Sequence, residues 1–211
     1  ISSLYLVNAQ QPKLIQEDEN GNPEIITFHQ GTKCNSTDSK QLLLSYLPNE
    51  QTGNFQLIET IEDKGIVSQK FQQYKNGIKV ENGIYSLIMK NGEVLTLKGN
   101  YIDIKTKNVQ KSQITEEQAL QKALEYINAD VYMWENTENE QWAKETEPNG
   151  TFFPTGELVY IKDYFNDDKL KRLEPVLAYK FNIYAEKPLS RQYVYVNAEN
   201  AIAIGEALKK T

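Results

Sequence analysis

Phe71-Gln-Gln-Tyr-Lys-Asn-Gly-Ile-Lys-Val-Glu-Asn-Gly-Ile-Tyr-Ser-Leu-Ile-Met-Lys-Asn-Gly-Glu-Val-Leu-Thr-Leu-Lys-Gly-Asn100 is the stretch on which the fold turns. Three Asn-Gly pairs, Asn76-Gly77, Asn82-Gly83 and Asn91-Gly92, separate short runs rich in Ile, Val, Tyr and Leu. Asn-Gly readily supplies the positive φ angles of two-residue hairpin turns, so the segment predicts an antiparallel meander with a turn at each pair. Tyr101-Ile-Asp-Ile104 is expected to extend its last strand. On the N-terminal side, Phe55, Leu57, Glu59 and Ile61 alternate as a strand does. Before that, Asp38 and Gln41 have the spacing of a capping box, and Leu42, Leu43, Tyr46 and Leu47 recur at helical spacing, predicting a short helix over 39–47. Ile25–Phe28 is an apolar patch in polar surroundings and reads as a strand.

Downstream, a polar linker over 105–113 leads to a second helix. Thr115 and Gln118 form a capping box, and Glu116 and Glu117 suit the positive end of the helix dipole. Leu120, Ala123, Leu124 and Ile127 make one apolar stripe. Residues 134–147 carry five Glu and one Lys and are expected to form a solvated insertion with some helix, pinned by Trp134 and Trp142. Strands follow at 156–162, 176–185 and 192–198, with a turn at Asn166–Asp168 and a break at Pro188. Leu177, Tyr179, Phe181 and Ile183 share one face of their strand. In the last strand Tyr193, Tyr195 and Asn197 oppose Val194 and Val196. The pattern is α+β: two modules, each a helix packed on an antiparallel sheet.

Composition narrows the function classes. The 211 residues are 39% hydrophobic and 25% charged, enough to build a core and keep it solvated. Thirteen tyrosines against seven phenylalanines suit half-exposed sheet faces. A net charge of −6 argues against binding nucleic acid, which requires concentrated Lys and Arg. No apolar run approaches the roughly 18–20 residues of a spanning helix. The one cysteine, Cys34, and the one histidine, His29, lie five positions apart and read as packing or surface residues, since a Cys/His pair needs an orienting third group. Glu116 and Glu117 point about 100° apart around their helix and converge poorly as an acid/base pair. The acidic run at 134–147 lacks the regular spacing and glycine turn of a calcium loop.

Gln72, Tyr74, Gly77, Val80, Gly83 and Gly92 carry a more specific signal. A strand ending Gln-x-Tyr, then Gly, then Val, then a hairpin with Gly at its tip closely resembles the fungalysin/thermolysin propeptide motif. The second half resembles a PepSY domain, a cystatin-like fold. Its matching residues are Ile114–Ala119, Ala178-Tyr179-Lys180-Phe181 and Tyr195-Val-Asn-Ala198. That family's last strand ends Val-Asp-Ala-x-Thr-Gly-Glu, where this chain has Asn197 for the Asp, Asn200 for the Thr and Ala201 for the Gly. Tyr132-Met-Trp-Glu135, Glu157-Leu-Val-Tyr160 and Lys187–Arg191 resemble the Bacteroidetes-type branch of such precursors.

The resemblance implies the pro-region of a secreted, cell-surface or periplasmic thermolysin-like zinc metallopeptidase, acting as intramolecular chaperone and temporary inhibitor. Its partner would be the catalytic domain in cis, and zinc and calcium would belong to that mature enzyme. Modules at 11–104 and 114–211 follow from it, as does a signal peptide; residues 1–10 read either as the remnant of one or as a first strand. A thermolysin-type site requires His-Glu-x-x-His and a distal Glu, which a chain with a single histidine does not supply. The chain itself is therefore expected to be non-catalytic and metal-free. Gln72, Tyr74, Gly77, Val80, Gly83, Gly92, Tyr179 and Tyr195 are its structural motif residues. Asn197, Ala201, Ile202 and Ile204 are the expected cleft-facing residues, and 201–208 is either a blocking tail or a short closing element. A free-standing secreted PepSY-type binding module or inhibitor is the alternative.

Overall fold

Asn76 and Gly77 take φ of 51° and 80°, and Asn91 and Gly92 take 49° and 78°, the paired positive angles of tight hairpin turns, in a computed structural model of the chain. The structure describes residues 12–47, 55–105, 111–163 and 174–208. It is a mixed α+β chain of two compact units, residues 1–103 and 104–211.

The first unit contains β1 (Leu14–Glu17), β2 (Pro23–Thr27), α1 (Ser39–Ser45), β3 (Phe55–Asp63), β4 (Ile66–Lys75), β5 (Ile78–Lys90) and β6 (Glu93–Gly99). All its pairings are antiparallel, in the order β1-β2-β6-β5-β4-β3. Leu42, Leu43 and Leu44 of α1 are buried in one cluster with Ile26, Phe55, Phe71, Tyr85, Leu87 and Leu97 from the sheet. Lys64 and Gly65 close the β3–β4 hairpin with φ of 47° and 76°, a turn the Asn-Gly pattern does not advertise.

Three expectations are corrected in this unit. Asn82-Gly83 is no hairpin tip but lies inside β5: Asn82 takes φ 63°, Gly83 keeps an ordinary angle, and the chain runs on as a bulge. Residues 101–104 are not strand, since β6 ends at Gly99. Asp38 caps α1 without a side-chain bond; its backbone is already helical (φ −99°, ψ −5°), and its carboxylate accepts instead from Asn35 and Thr37. The expected strand over 55–61 is β3, which carries a bulge between Leu57 and Glu59 and buries only Phe55.

The second unit contains α2 (Glu116–Ile127), β7 (Val131–Tyr132), a 3-10 turn (Met133–Glu135), α3 (Thr137–Thr146), β8 (Glu157–Lys162), β9 (Pro175–Lys187), β10 (Ser190–Asn197) and β11 (Ala203–Leu208). Its strands are antiparallel in the order β8-β9-β10-β11, with β7 also paired to β9. The Thr115/Gln118 capping box forms in both directions, and Ala119 and Ala123 are the buried positions of α2. Leu177, Tyr179, Phe181 and Ile183 are buried on one face, in register with Val194 and Val196. The Tyr179 hydroxyl donates to the Ile114 carbonyl, and the Phe181 ring and the Glu116 side chain both crowd Gly156, so this face lies under α2.

Residues 134–147 form the expected helix-containing, largely exposed segment, with α3 at its centre. Asn136 caps α3 by accepting from the Glu138 N–H. Trp134 stacks on Tyr132 at 4.5 Å, and Trp142 stacks on Phe152 at 6.0 Å. Of the two readings of 201–208, the closing strand is the observed one, β11 against β10. The two readings of residues 1–10 and the turn at 166–168 lie outside the described residues.

Candidate functional site

Of the propeptide-like residues, Gln72, Tyr74, Val80 and Gly83 converge on the β4–β5 bulge. Gln72 pairs with Ile84 and Tyr74 with Lys79, leaving Val80, Glu81, Asn82 and Gly83 opposite Gln73. These four cannot complete the regular ladder, and buried peptide groups must find partners elsewhere. Gln72, only 2% exposed, supplies them: its Nε2 donates to Val80 O at 2.6 Å, Gly83 O at 3.1 Å and Gln73 O at 3.0 Å. Val80 is fully buried, and Glu81, at the margin of the interior, is paired with Lys79 at 3.0 Å. Gly83 is required by space rather than by φ. A Cβ there would lie 2.6 Å from Gln73 Oε1 and 2.9 Å from Gln73 Cβ.

Gln73 is the residue that sequence reasoning missed. Its amide makes two bonds to a single peptide, donating from Nε2 to Ile102 O at 2.7 Å and accepting the Ile102 N–H on Oε1 at 3.0 Å. This side chain ties residues 101–103 to the bulge in place of the expected strand. The available signal was the Gln-Gln pair itself: consecutive strand residues face opposite sides. Tyr74 is half-buried beside the bulge, while Gly77 and Gly92 sit at turn tips with open space around them.

In the second unit, Tyr195 is buried in a cluster with Val159, Ala178 and Ile204. Lys180 lies over the rings of Tyr193 at 4.5 Å and Tyr195 at 5.7 Å, close enough for cation–π attraction. Asn197 closes the turn after β10. Its Oδ1 accepts the Glu199 N–H at 2.8 Å, its N–H donates to Ile202 O, and its carbonyl accepts the Ala201 N–H. Ala201 takes φ 61°, the left-handed angle that glycine adopts without strain. Ala201 closes the turn in that left-handed conformation.

Asn197 also lines a pocket of about 170 Å³ with Lys111, Glu174, Leu177 and Glu199. Among the expected cleft-facing residues, Ile202 is 59% exposed, but Ile204 is only 6% exposed and packs in its own unit's core. Ile204 is therefore corrected to a core residue.

Apart from His29, the side chains weighed as catalytic candidates are held in structural contacts. Burial, with the Asp38 charge second, pushes the Cys34 thiol up, and its Sγ donates to Asn35 O at 3.2 Å, so the thiolate is disfavoured. His29 is exposed. Glu116 accepts the Gly156 N–H at 2.7 Å, and Thr115 holds the Glu117 carboxyl below its ordinary range. Glu140 accepts from Phe152 N at 2.7 Å and Thr151 Oγ1 at 2.9 Å, tying the loop after α3 to that helix. Among the described residues, no three His, Cys, Asp or Glu side chains group as metal ligands would. No helix among them is long and apolar enough to cross a membrane.

Residues 53–101 match the Fungalysin/Thermolysin Propeptide Motif, which spans β3 through β6 and contains both glutamines. No curated protein matches the chain. Among solved structures, the chain is similar to the Bacillus megaterium YpeB C-terminal domain, at 14% identity and a TM-score of 0.42, covering 93% of this chain and 76% of that one.

Proposed function

We propose that this chain is the pro-region of a thermolysin-like zinc metallopeptidase, and that it helps the catalytic domain joined to it to fold and then blocks its cleft until proteolysis removes it. The observation that carries the reading is the propeptide motif at 53–101, a motif of thermolysin-like protease propeptides. Within it, the glutamine, glycine and valine positions serve the protein's own architecture: Gln72 bonds the bulge, Gly83 makes room for Gln73, and Val80 fills the interior.

Secreted proteases that remain active for long periods owe their persistence to high unfolding barriers, and the same barrier slows folding. A prefolded surface complementary to the catalytic domain lowers that barrier and occupies the cleft afterwards. In this reading residues 11–104 are the propeptide module, 105–113 the linker and 114–211 a PepSY module. The zinc, the calcium and the chemistry belong to the mature enzyme, and the precursor is exported through a signal peptide. Asn197, Ala201 and exposed Ile202 form the end of the second module that approaches the cleft, aided by the high effective concentration of a tethered partner. Ile204 takes no part, so removal of everything after Asn197 would damage the module as well as the contact. The substitution Ile202→Asp tests the contact alone, because that side chain is exposed.

The reading frame beyond Thr211 tests the assignment. An in-frame His-Glu-x-x-His followed by a distal Glu is expected. A frame that closes without one overturns the precursor reading in favour of a free-standing inhibitor or binding module.

A further inference from the structure

β3 leaves one of its two edges without a partner. Among the described residues it pairs with β4 alone, so along nine residues every second peptide group points away from the sheet. Eight of those nine residues are exposed, including Leu57 at 48%, Ile58 at 49% and Ile61 at 56%. An edge this long and apolar is a template for strand addition unless something protects it.

The protection present is selective. Registers across the hairpin place Leu57 opposite Phe71 and Ile61 opposite Ser68, on the two faces of the strand, with Ile58 in the bulge between them. The Leu57–Ile61 end is therefore apolar on both faces. Glu62 lies opposite Val67 and Asp63 opposite Ile66, so the other end carries a carboxylate on each face. Glu59 is already neutralised by Lys70 at 2.6 Å. Glu62 and Asp63 have no ion-pair partner among the described residues.

A second copy of β3 pairing antiparallel with the first sets Glu59 opposite Asp63 twice when centred on Ile61, and Glu59 opposite its own copy when centred on Glu59. Like charges in that position oppose pairing. A strand carrying Lys or Arg against Glu62 and Asp63 gains from the same charges.

We propose that the free edge of β3 is a docking edge for an extended, antiparallel strand of another polypeptide, basic at its N-terminal end and apolar beyond it. The proposal is independent of the pro-region reading, because it uses only this edge.

The test uses the ¹⁵N-labelled full chain and two blocked peptides, Lys-Lys-Thr-Val-Thr-Val-Thr-Val and its counterpart beginning Glu-Glu. The Lys-Lys peptide is expected to shift, and protect from exchange, the β3 amides that point away from β4. It should bind about tenfold more tightly than the Glu-Glu peptide in low salt, with the difference shrinking at high salt. The double variant Glu62→Lys/Asp63→Lys, altered only at exposed positions, should reverse the preference. Peptides that leave the β3 amides unmoved, or that bind with equal affinity, would overturn the proposal. So would a concentration-dependent dimer whose dilution shifts map to β3.

Discussion

Replacing Gln72 by Leu removes the one side-chain donor among the described residues that reaches the bulge carbonyls of Val80 and Gly83, while keeping a side chain of similar volume. Those carbonyls belong to the backbone and stay buried, so the substitution strands them. An amide carries two N–H bonds, so two acceptors are the fair count, at about 1–3 kcal/mol for each buried acceptor left unpaired. The extra apolar surface of leucine offsets about 1.5–2 kcal/mol. The expected net loss is centred on about 2 kcal/mol, which lowers the melting temperature of a unit this size by roughly 8–16 °C. Gln56→Leu is the matched control: Gln56 is the cross-strand partner of Gln72 on β3 but is exposed, so its substitution should stay within about 0.5 kcal/mol. Urea titration followed by hydrogen exchange on peptides covering 66–104 reads the first unit separately from the second. A Gln72→Leu chain no less stable than Gln56→Leu would refute the view that this amide holds the bulge.

Ala201 sits at φ 61°, which costs an L-residue about 1–2 kcal/mol, part of which glycine gives back through its freer unfolded chain. Ala201→Gly should stabilise the second unit by about 0.5–1 kcal/mol in a urea titration. Gly83→Ala drives a Cβ into Gln73 and should cost about 1–3 kcal/mol, loosening exchange at Ile102. Gly77→Ala, with open space but φ 80°, should cost only about 1 kcal/mol and leave Ile102 protected. Tyr85 is fully buried and donates to Pro23 O. Burial first, then the charges of Asp18 and Glu24, push its phenol well above the ordinary 10.0. The unfolded chain then loses this proton before the folded one does. The contribution is therefore intact below pH 10 and drains away as pH rises further. Tyr85→Phe should flatten the alkaline limb of a stability-versus-pH curve.

Elements whose determinants are local were legible in the sequence. The reciprocal Thr115/Gln118 cap and the alternation of Leu177, Tyr179, Phe181 and Ile183 each lie within a dozen residues, and both formed. Asn82-Gly83 was misread because an Asn-Gly pair announces only that left-handed backbone is available. Whether it becomes a turn or a bulge is decided by how the flanking strands register against Gln72 and Tyr74. Asp38 has cap spacing, yet a residue already in helical conformation cannot aim its side chain at the first-turn amides. Residues 101–103 failed as strand because Gln73, 29 positions from Ile102, satisfies that peptide with an amide instead of a neighbouring strand. The alternation over 55–61 announced a strand, but an alternating pattern does not say which face anything covers. After β10, Ile202 and Ile204 are chemically alike. Only the pairing of β11 with β10 separates the exposed one from the buried one.

The proposed pro-region role requires this chain to act on the folding and activity of a thermolysin-like catalytic domain. The direct measurement is the recovery of peptidase activity when the mature domain encoded downstream in the same frame is diluted from guanidinium with and without an equimolar amount of this chain. The chain should raise the yield of folded enzyme about tenfold or more, equivalent to at least about 1.4 kcal/mol off the folding barrier. Recovered activity should stay suppressed until the chain is digested away. Equal yields with and without the chain, together with undiminished activity in its presence, would contradict the claim.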